Sequence, residues 1–139
     1  MFFKRHEIGA LVRMDEKSIS GEPLGMVDLY EPVAEGEAPN LDQIQRMVRF
    51  IHEQMELWER PLAVSSHDGG GQADLVLSCY MVSVGYSAEK AVDHVRRMRS
   101  RPDSLRSATS KDHVAQFDAW WTEQTAQIRR KASERFQDY

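Results

Sequence analysis

The sequence predicts an α/β fold in which helices flank a central, mostly parallel sheet. Three observations support this class. Short apolar runs alternate with longer segments of helical spacing, consecutive glycines lie shortly after the third short run, and a long, almost wholly apolar segment follows the glycines. With 139 residues and no internal repeat or long linker, the chain is predicted to form a single domain over residues 1–139.

Three segments have the length and composition of short strands. Residues 8–14 and 26–30 are apolar-rich runs separated by a turn-rich stretch, and residues 61–65 form a third run that stops at a polar, glycine-rich segment. In an α/β sheet of this order, the loop that leaves the third strand lies at the carboxyl end of the sheet. We expect any functional site to lie there.

The first predicted helix begins after Asn40 and ends near Trp58. The Asn40 side chain can accept a hydrogen bond from the backbone of Gln43, whose own side chain can return one, which is the pattern of a capping box. The predicted core positions of this helix follow helical spacing: Leu41, Ile44, Met47, Val48, Ile51 and Met55.

Further helices are predicted in the second half of the chain. The apolar residues 75–85 suit a buried helix, and Ser87 can cap a helix over residues 88–100 that Pro102 ends. A last helix begins near Lys111, and its final turns are expected to fray. The predicted core positions of the last two helices are Ala91, Val95 and Met98, then Val114, Phe117, Ile128 and Phe136 with one or both of Trp120 and Trp121.

Composition excludes several classes of protein. The net charge of −4 gives no global basic field that would favour nucleic acid. No apolar run reaches the roughly 18 residues of a membrane helix, and the first residues lack the pattern of a signal peptide, so we expect a cytoplasmic protein without membrane contact. The single cysteine, Cys79, cannot form an intrachain disulfide or a multi-thiolate zinc site. We expect no metal and no cofactor.

The consecutive glycines Gly69, Gly70 and Gly71 could form an anion-binding loop. Between a buried strand and a buried helix, glycines allow backbone N–H groups to converge beside the helix N-terminus. A tight strand-to-helix turn that binds nothing is the alternative interpretation. The local pattern does not separate the two.

A longer pattern surrounds these glycines. Residues 63–105 have the sequence AVSSHDGGGQADLVLSCYMVSVGYSAEKAVDHVRRMRSRPDSL, and residues 29–51 have the sequence LYEPVAEGEAPNLDQIQRMVRFI. The first segment resembles the signature region of the small dual-specificity phosphatases of the protein tyrosine phosphatase superfamily, V-H-C-x5-R-T/S-G followed by C-Y-L-V, G-x-S-A-x-x-A and R-R-x-R-P-x-S-I. The second resembles the family's general-acid loop and the helix after it.

The resemblance covers about residues 8–121 and implies the fold of that family, with residues 122–139 as a C-terminal helical extension. It also implies that the family's first strand is shortened here. The family's nucleophilic cysteine falls on Ser66, the arginine that clamps the phosphate falls on Gln72, and the general-acid aspartate falls on Glu35. The phosphate-binding loop corresponds to Ser66, His67, Asp68, Gly69, Gly70, Gly71 and Gln72. Four further family residues are replaced: the histidine by Ser65, the hydroxyl residue by Ala73, the glycine by Asp74 and the glutamine by Ser110.

These replacements remove the family's chemistry. A serine hydroxyl needs a general base that a thiolate does not need, and Ser66 has no evident base. Gln72 supplies at best one neutral donor where arginine supplies two charge-assisted ones. Because the loss of one transition-state donor costs roughly a hundred- to a thousand-fold in rate, we expect essentially no turnover by the family mechanism. Asp68 and Asp74 add negative charge near the glycines, so anion binding and an empty loop are both left open.

The resemblance therefore implies a pseudophosphatase, an inactive phosphatase-like protein that acts as a binding or regulatory module. Its expected partner is a phosphorylated protein, a kinase or an active phosphatase. Two alternatives stay open: a weak or divergent phosphoester hydrolase that uses Ser66 or water with Glu35 as acid, and a structural subunit without ligand. The sequence does not indicate an oligomeric state.

Three groups outside the loop have two interpretations each. An arginine cluster suits either an acidic partner or a solvated helix face, and an aromatic cluster suits either the core or a docking patch. The scattered histidines are interpreted as surface residues. The groups are Arg96, Arg97, Arg99, Arg101 and Arg106; Phe117, Trp120 and Trp121; and His6, His52, His94 and His113.

Overall fold

The computed structural model describes residues 8–66, 71–98 and 108–137. Three short strands form its sheet: β1 (Ala10–Arg13), β2 (Val27–Tyr30) and β3 (Leu62–Ser65). Their order in the sheet is β2-β1-β3, and β1 pairs in parallel with both neighbours. The predicted parallel sheet is therefore confirmed, with each strand somewhat shorter than its apolar run.

Four helices accompany the sheet. They are α1 (Leu41–His52), α2 (Gln72–Ser83), α3 (Ala88–Met98) and α4 (Ala108–Gln137). A π-helical turn, Glu53–Leu57, follows α1 directly. All four helices lie where the sequence predicts them, so the α/β class is confirmed.

Side-chain caps fix the start of two helices. The Asn40 side chain accepts a hydrogen bond from Gln43 N at 2.8 Å, and the Gln43 side chain accepts one from Asn40 N at 3.1 Å. The predicted capping box is thus confirmed. Ser87 Oγ accepts a hydrogen bond from Lys90 N at 3.2 Å, which confirms the predicted cap of α3.

The core consists of two clusters that meet at α2. Val76 of α2 belongs to the cluster over the sheet, together with Val12, Met14 and Met47. The other face of α2 belongs to a helical cluster: Leu75, Cys79 and Val82 pack with Ile44 and Val48, with Ala91, Val92 and Val95, and with Val114 and Phe117. Because α2 has packing partners on both faces, it is apolar all round, as its sequence indicates.

The prediction that Met55 lies in the core is wrong. Met55 is 42% exposed, whereas Gln54 is 4% exposed. The cause is the π-helical turn, since its wider winding rotates the residues after Ile51 away from the α-helical register. The buried Gln54 is satisfied by Arg60, whose Nη1 donates to Gln54 Oε1 at 2.8 Å.

Met98 and Ile128 are also wrongly predicted as core residues. Met98 is 75% exposed at the last residue of α3, and Ile128 is 67% exposed in the second half of α4. Both positions continue a buried stripe past the point where neighbouring helices cover it. The helix α4 continues to Gln137, beyond the point at which we expected fraying. Predictions for His6, Arg99, Arg101, Pro102 and Arg106, and for the side chains of Ser110 and Phe136, lie outside the described residues.

No helix in the described ranges is both long enough and apolar enough to cross a bilayer.

Candidate functional site

The two described ends of the predicted phosphate-binding loop are held by the sheet and by α2. Ser66 follows β3, where Met14 N donates to Ser65 O at 2.8 Å and prolongs the pairing of β1 with β3. Gly71 precedes α2 with φ of +72°, a left-handed conformation that glycine adopts without a Cβ penalty. The predicted loop residues His67, Asp68, Gly69 and Gly70 lie outside the described residues.

Gln72 is the first residue of α2, and its side chain turns toward another loop of the chain. Its Nε2 donates to the backbone oxygens of Ala34 and Glu37, both at 2.9 Å. The residue is 1% exposed. Its Oε1 is buried and accepts no hydrogen bond from the described residues. The amide thus joins the start of α2 to the segment that the resemblance assigns to the general acid.

Glu35 lies on the tight turn that Gln72 holds. Glu37 N donates to Ala34 O at 3.0 Å, and Gly36 has φ of +81°, the combination expected for a type II turn. Glu35 occupies an exposed position inside this turn. Its backbone is therefore fixed between the two carbonyl groups that Gln72 contacts, while its carboxylate faces solvent.

The segment before this turn is anchored at further points. Val33 N donates to Met14 O at 3.0 Å, which ties the segment to the end of β1. Arg46 of α1 donates to both carboxylate oxygens of Glu31, the longer bond measuring 3.1 Å. Gln43 Nε2 donates to Pro32 O at 3.0 Å. We refer to residues 31–37, held in this way, as the acid loop.

Ser66 and Asp74 differ from each other in accessibility. Ser66 is half-buried, and its hydroxyl has no hydrogen-bond partner within the described part of the chain. Asp74 is only 1% exposed, in the first turn of α2. Its position lies beside the end of the predicted loop, where the positive end of the α2 dipole favours a negative charge.

Cys79 lies in the middle of α2 and faces the helical cluster. It is fully buried, and burial raises the pKa of its thiol above the ordinary value. The prediction that Cys79 belongs to the core is confirmed. Because a nucleophilic cysteine needs an accessible thiolate, Cys79 is not suited to be a nucleophile.

His52 belongs to a network that the sequence analysis missed, since we had interpreted it as a surface residue. Its side chain is 26% exposed, with Nε2 2.6 Å from Ser83 Oγ and Nδ1 3.1 Å from a carboxylate oxygen of Glu56. Ser83 Oγ also donates to Tyr80 O at 2.5 Å. The spacing of Glu56 four residues after His52 was the one local signal; the contact with Ser83 joins distant segments.

The His52 network has the order of a hydrolase triad but not its surroundings. Ser83 is the last residue of α2, where backbone carbonyl groups point past the helix end. An oxyanion formed on a Ser83 adduct would face these partial negative charges instead of N–H donors. We therefore interpret the network as a structural link between the ends of α1 and α2. Among the described residues, no three His, Cys, Asp or Glu side chains are grouped so as to hold a metal ion.

Comparisons with solved structures decide the fold. Tk-PTP in its active form matches with a TM-score of 0.72 at 22% identity, over 82% of this chain and 80% of that chain. The chain has the fold of the dual-specificity and protein tyrosine phosphatases. PTPMT1 matches with a TM-score of 0.69 at 17% identity, over 91% of this chain and 85% of that chain.

A third match is a phosphatase variant. Kinase associated phosphatase, with its catalytic-site cysteine replaced by serine, matches with a TM-score of 0.71 at 15% identity, over 86% of this chain and 74% of that chain. At such identities the comparisons establish the fold and not an activity. No family model matches the chain, and no curated protein matches it significantly.

Proposed function

We propose that the chain is a catalytically inactive phosphatase-like protein that acts as a binding or regulatory module. The observation that carries this proposal is the orientation of Gln72. A side-chain amide has two N–H donors, and here one is engaged by Ala34 O and the other by Glu37 O. At the position that the resemblance assigns to the phosphate-clamping arginine, the side chain therefore keeps no donor for an anion.

The surroundings of Ser66 support the same proposal. An alcohol becomes a nucleophile only when a neighbouring base takes its proton. No described side chain accepts a hydrogen bond from the Ser66 hydroxyl. Without a base and without a charged clamp, the family's phosphoryl transfer has neither an activated nucleophile nor a charge to stabilise its transition state.

The proposed partner is a phosphorylated protein, its kinase, or an active phosphatase with which the chain competes, in the cytoplasm. Any phosphate bound at the loop would be held by backbone N–H groups and the N-terminus of α2. Such binding would be weaker than that of a site with an arginine fork. A chain that binds no phosphate would instead be a structural subunit.

A second candidate function is weak phosphoester hydrolysis. One observation favours it: Glu35 keeps a carboxyl group on the turn that Gln72 joins to the start of α2. A carboxyl group there could protonate a leaving group if Ser66 or a water attacked. This candidate requires that the hydrolysis depend on Ser66 or Glu35.

Hydrolysis of an aryl phosphate by four proteins separates the candidates. We expect no turnover above background for the wild type, Ser66→Ala or Ser66→Cys, because the clamp is missing in all three. The double variant Ser66→Cys, Gln72→Arg should recover measurable turnover. Wild-type hydrolysis that disappears in Ser66→Ala would contradict the proposal and favour the hydrolase.

Calorimetric titration with inorganic phosphate and with a phosphopeptide tests the binding role directly. Saturable binding that is lost when Ser66 and Gly71 are both replaced would support a phosphate-binding module. The absence of heat in every titration would contradict phosphate recognition and favour a structural subunit.

A further inference from the structure

A cleft lies between helices α1 and α4. Both helices pack against α2, and between them lies a cavity of about 230 Å³. One wall is a single face of α1, whose lining residues are spaced by three and four positions. The other is the aromatic face of α4. The lining includes Val48, Arg49 and His52 of α1 and Phe117, Trp120 and Trp121 of α4.

The floor of this α1–α4 cleft is aromatic. Phe117 is fully buried, and its ring stacks on Trp121 at 6.2 Å with an interplanar angle of 15°. The ring centroids of Trp120 and Phe117 lie 5.8 Å apart, with an interplanar angle of 42°. Both tryptophans are half-buried, so each packs on the core and also presents ring surface to the cleft. The cluster therefore packs in the core, as one of the two sequence interpretations had it, and its two tryptophans remain partly accessible.

The rim of the cleft carries a cation that has no partner among the described residues. Arg49 is exposed, and its guanidinium makes no ion pair or hydrogen bond with any residue that the structure describes. Arg46, one turn earlier on α1, is engaged by Glu31. The ring nitrogens of His52 are occupied by Ser83 and Glu56, so His52 supplies a wall and no free donor.

The remaining lining residue with a polar side chain is Gln45, and no acidic residue is among the described residues that line the cleft. Among the lining residues, Arg49 is therefore the one that carries a full positive charge. A larger groove of about 310 Å³, also lined by Trp121, contains both Asp118 and Arg129, and their opposite charges give it no comparable preference. An anion should prefer the α1–α4 cleft.

We propose that the α1–α4 cleft binds a small planar aromatic carboxylate. The ring would lie against Trp120 and Trp121, which Phe117 supports from below, and the carboxylate would accept two parallel hydrogen bonds from Arg49. A buried cavity of about 150 Å³ holds benzene, so about 230 Å³ leaves room for a bicyclic ring. The site shares no residue with the loop between β3 and α2.

The probe we choose is 2-naphthoate, added to the full chain labelled with nitrogen-15. The chain has three tryptophans, and their indole N–H resonances report on two places. Trp120 and Trp121 line the cleft, whereas Trp58 is exposed in the turn after α1 and absent from the cleft lining. We expect saturable shifts of the first two resonances and no shift of the third.

The role of Arg49 is tested by removing either the charge of Arg49 or the charge of the ligand carboxylate. Arg49→Gln should weaken 2-naphthoate binding about tenfold or more, the loss expected for a charge-assisted hydrogen bond. The neutral analogue 2-naphthamide should bind the wild type and Arg49→Gln equally and weakly. Arg97→Gln, which changes an exposed arginine of α3 outside the cleft, should leave the affinity unchanged.

Several results would overturn the proposal. Absence of a saturable shift, equal affinity for the acid and the amide in the wild type, or full affinity in Arg49→Gln would each exclude a carboxylate site. Equal shifts of all three indoles would show binding unrelated to the cleft. A shift of Trp120 and Trp121 on concentrating the protein without ligand would identify the cleft as a contact between copies of the chain.

Discussion

Replacing Gln72 by glutamate should strongly destabilise the folded chain near neutral pH. The exchange keeps the size of the side chain but replaces the amide nitrogen by an oxygen. That nitrogen donates to two backbone oxygens at 2.9 Å from a position that is 1% exposed. In the variant, a carboxylate would face the oxygens of Ala34 and Glu37 without a donor between them.

The expected loss follows from the contacts of Gln72. Two neutral hydrogen bonds are worth about 1 kcal/mol each, and an uncompensated buried charge costs about 3–5 kcal/mol. Protonation would return one donor to the variant, so burial should raise the pKa of the new carboxyl. When the pKa of an acid is higher in the folded state than in the unfolded state, the folded state loses stability as the pH rises. For a glutamate this loss begins above the unfolded-state pKa of about 4.3. The deficit should therefore shrink as the pH is lowered toward that value.

Urea unfolding followed by circular dichroism measures this effect. We expect Gln72→Glu to lose at least about 3–5 kcal/mol near pH 7, and Gln72→Met, which removes both donors without adding a charge, to lose about 2 kcal/mol. Gln116→Glu, at an exposed position of α4, should stay within about 0.5 kcal/mol of the wild type. A Gln72→Glu variant as stable as the wild type near pH 7 would refute the donor role of the amide.

Two further predictions concern other buried groups. Burial opposes the charge of Asp28, but hydrogen bonds from Arg13, Gly21 N and Ser20 outweigh it and hold the pKa of Asp28 below its usual range. The stability difference between the wild type and Asp28→Asn should thus be largest above about pH 4 and vanish on further acidification, and a pH-independent difference in urea unfolding would contradict this. Cys79 should resist a thiol-reactive disulfide reagent in the native chain and react fully in urea; rapid native labelling would show that the core around α2 opens easily.

The parts of the fold that depend on neighbouring residues could be predicted from the sequence. The capping box of Asn40 and Gln43 spans one helical turn, and the cap at Ser87 is equally local. The apolar character of α2 also predicts its burial, because a helix without a polar face needs packing partners all round. The strand order was not predicted, because the pairing of β1 with β3 joins segments that β2 and α1 separate in the chain.

The errors in the predicted core have a common physical origin. Periodicity assumes that a helix keeps its winding and that a neighbour covers every turn. The π-helical turn breaks the first assumption at Met55, and the ends of the helical cluster break the second at Met98 and Ile128. The residues next to each position in the sequence show neither how the helix winds there nor whether another helix packs over it.

The direction of the Gln72 side chain could not be predicted for a similar reason. Its partners, the oxygens of Ala34 and Glu37, lie 38 and 35 residues earlier in the chain. A glutamine at the start of a helix has no local preference for such contacts. The sequence could indicate that a charge is missing at this position, but it could not indicate that the remaining donors are engaged by the acid loop.

Counting donors explains why the clamp must be restored together with the nucleophile. The amide of Gln72 has two N–H groups and uses both on the acid loop. An arginine has five, so it could keep two on the oxygens of Ala34 and Glu37 and still offer a charged pair to a phosphate. Ser66→Cys alone therefore gains a better nucleophile, while the side chain at position 72 still offers no donor for the transition state. Gln72→Arg alone should increase phosphate affinity without turnover, and only the double variant combines the two requirements.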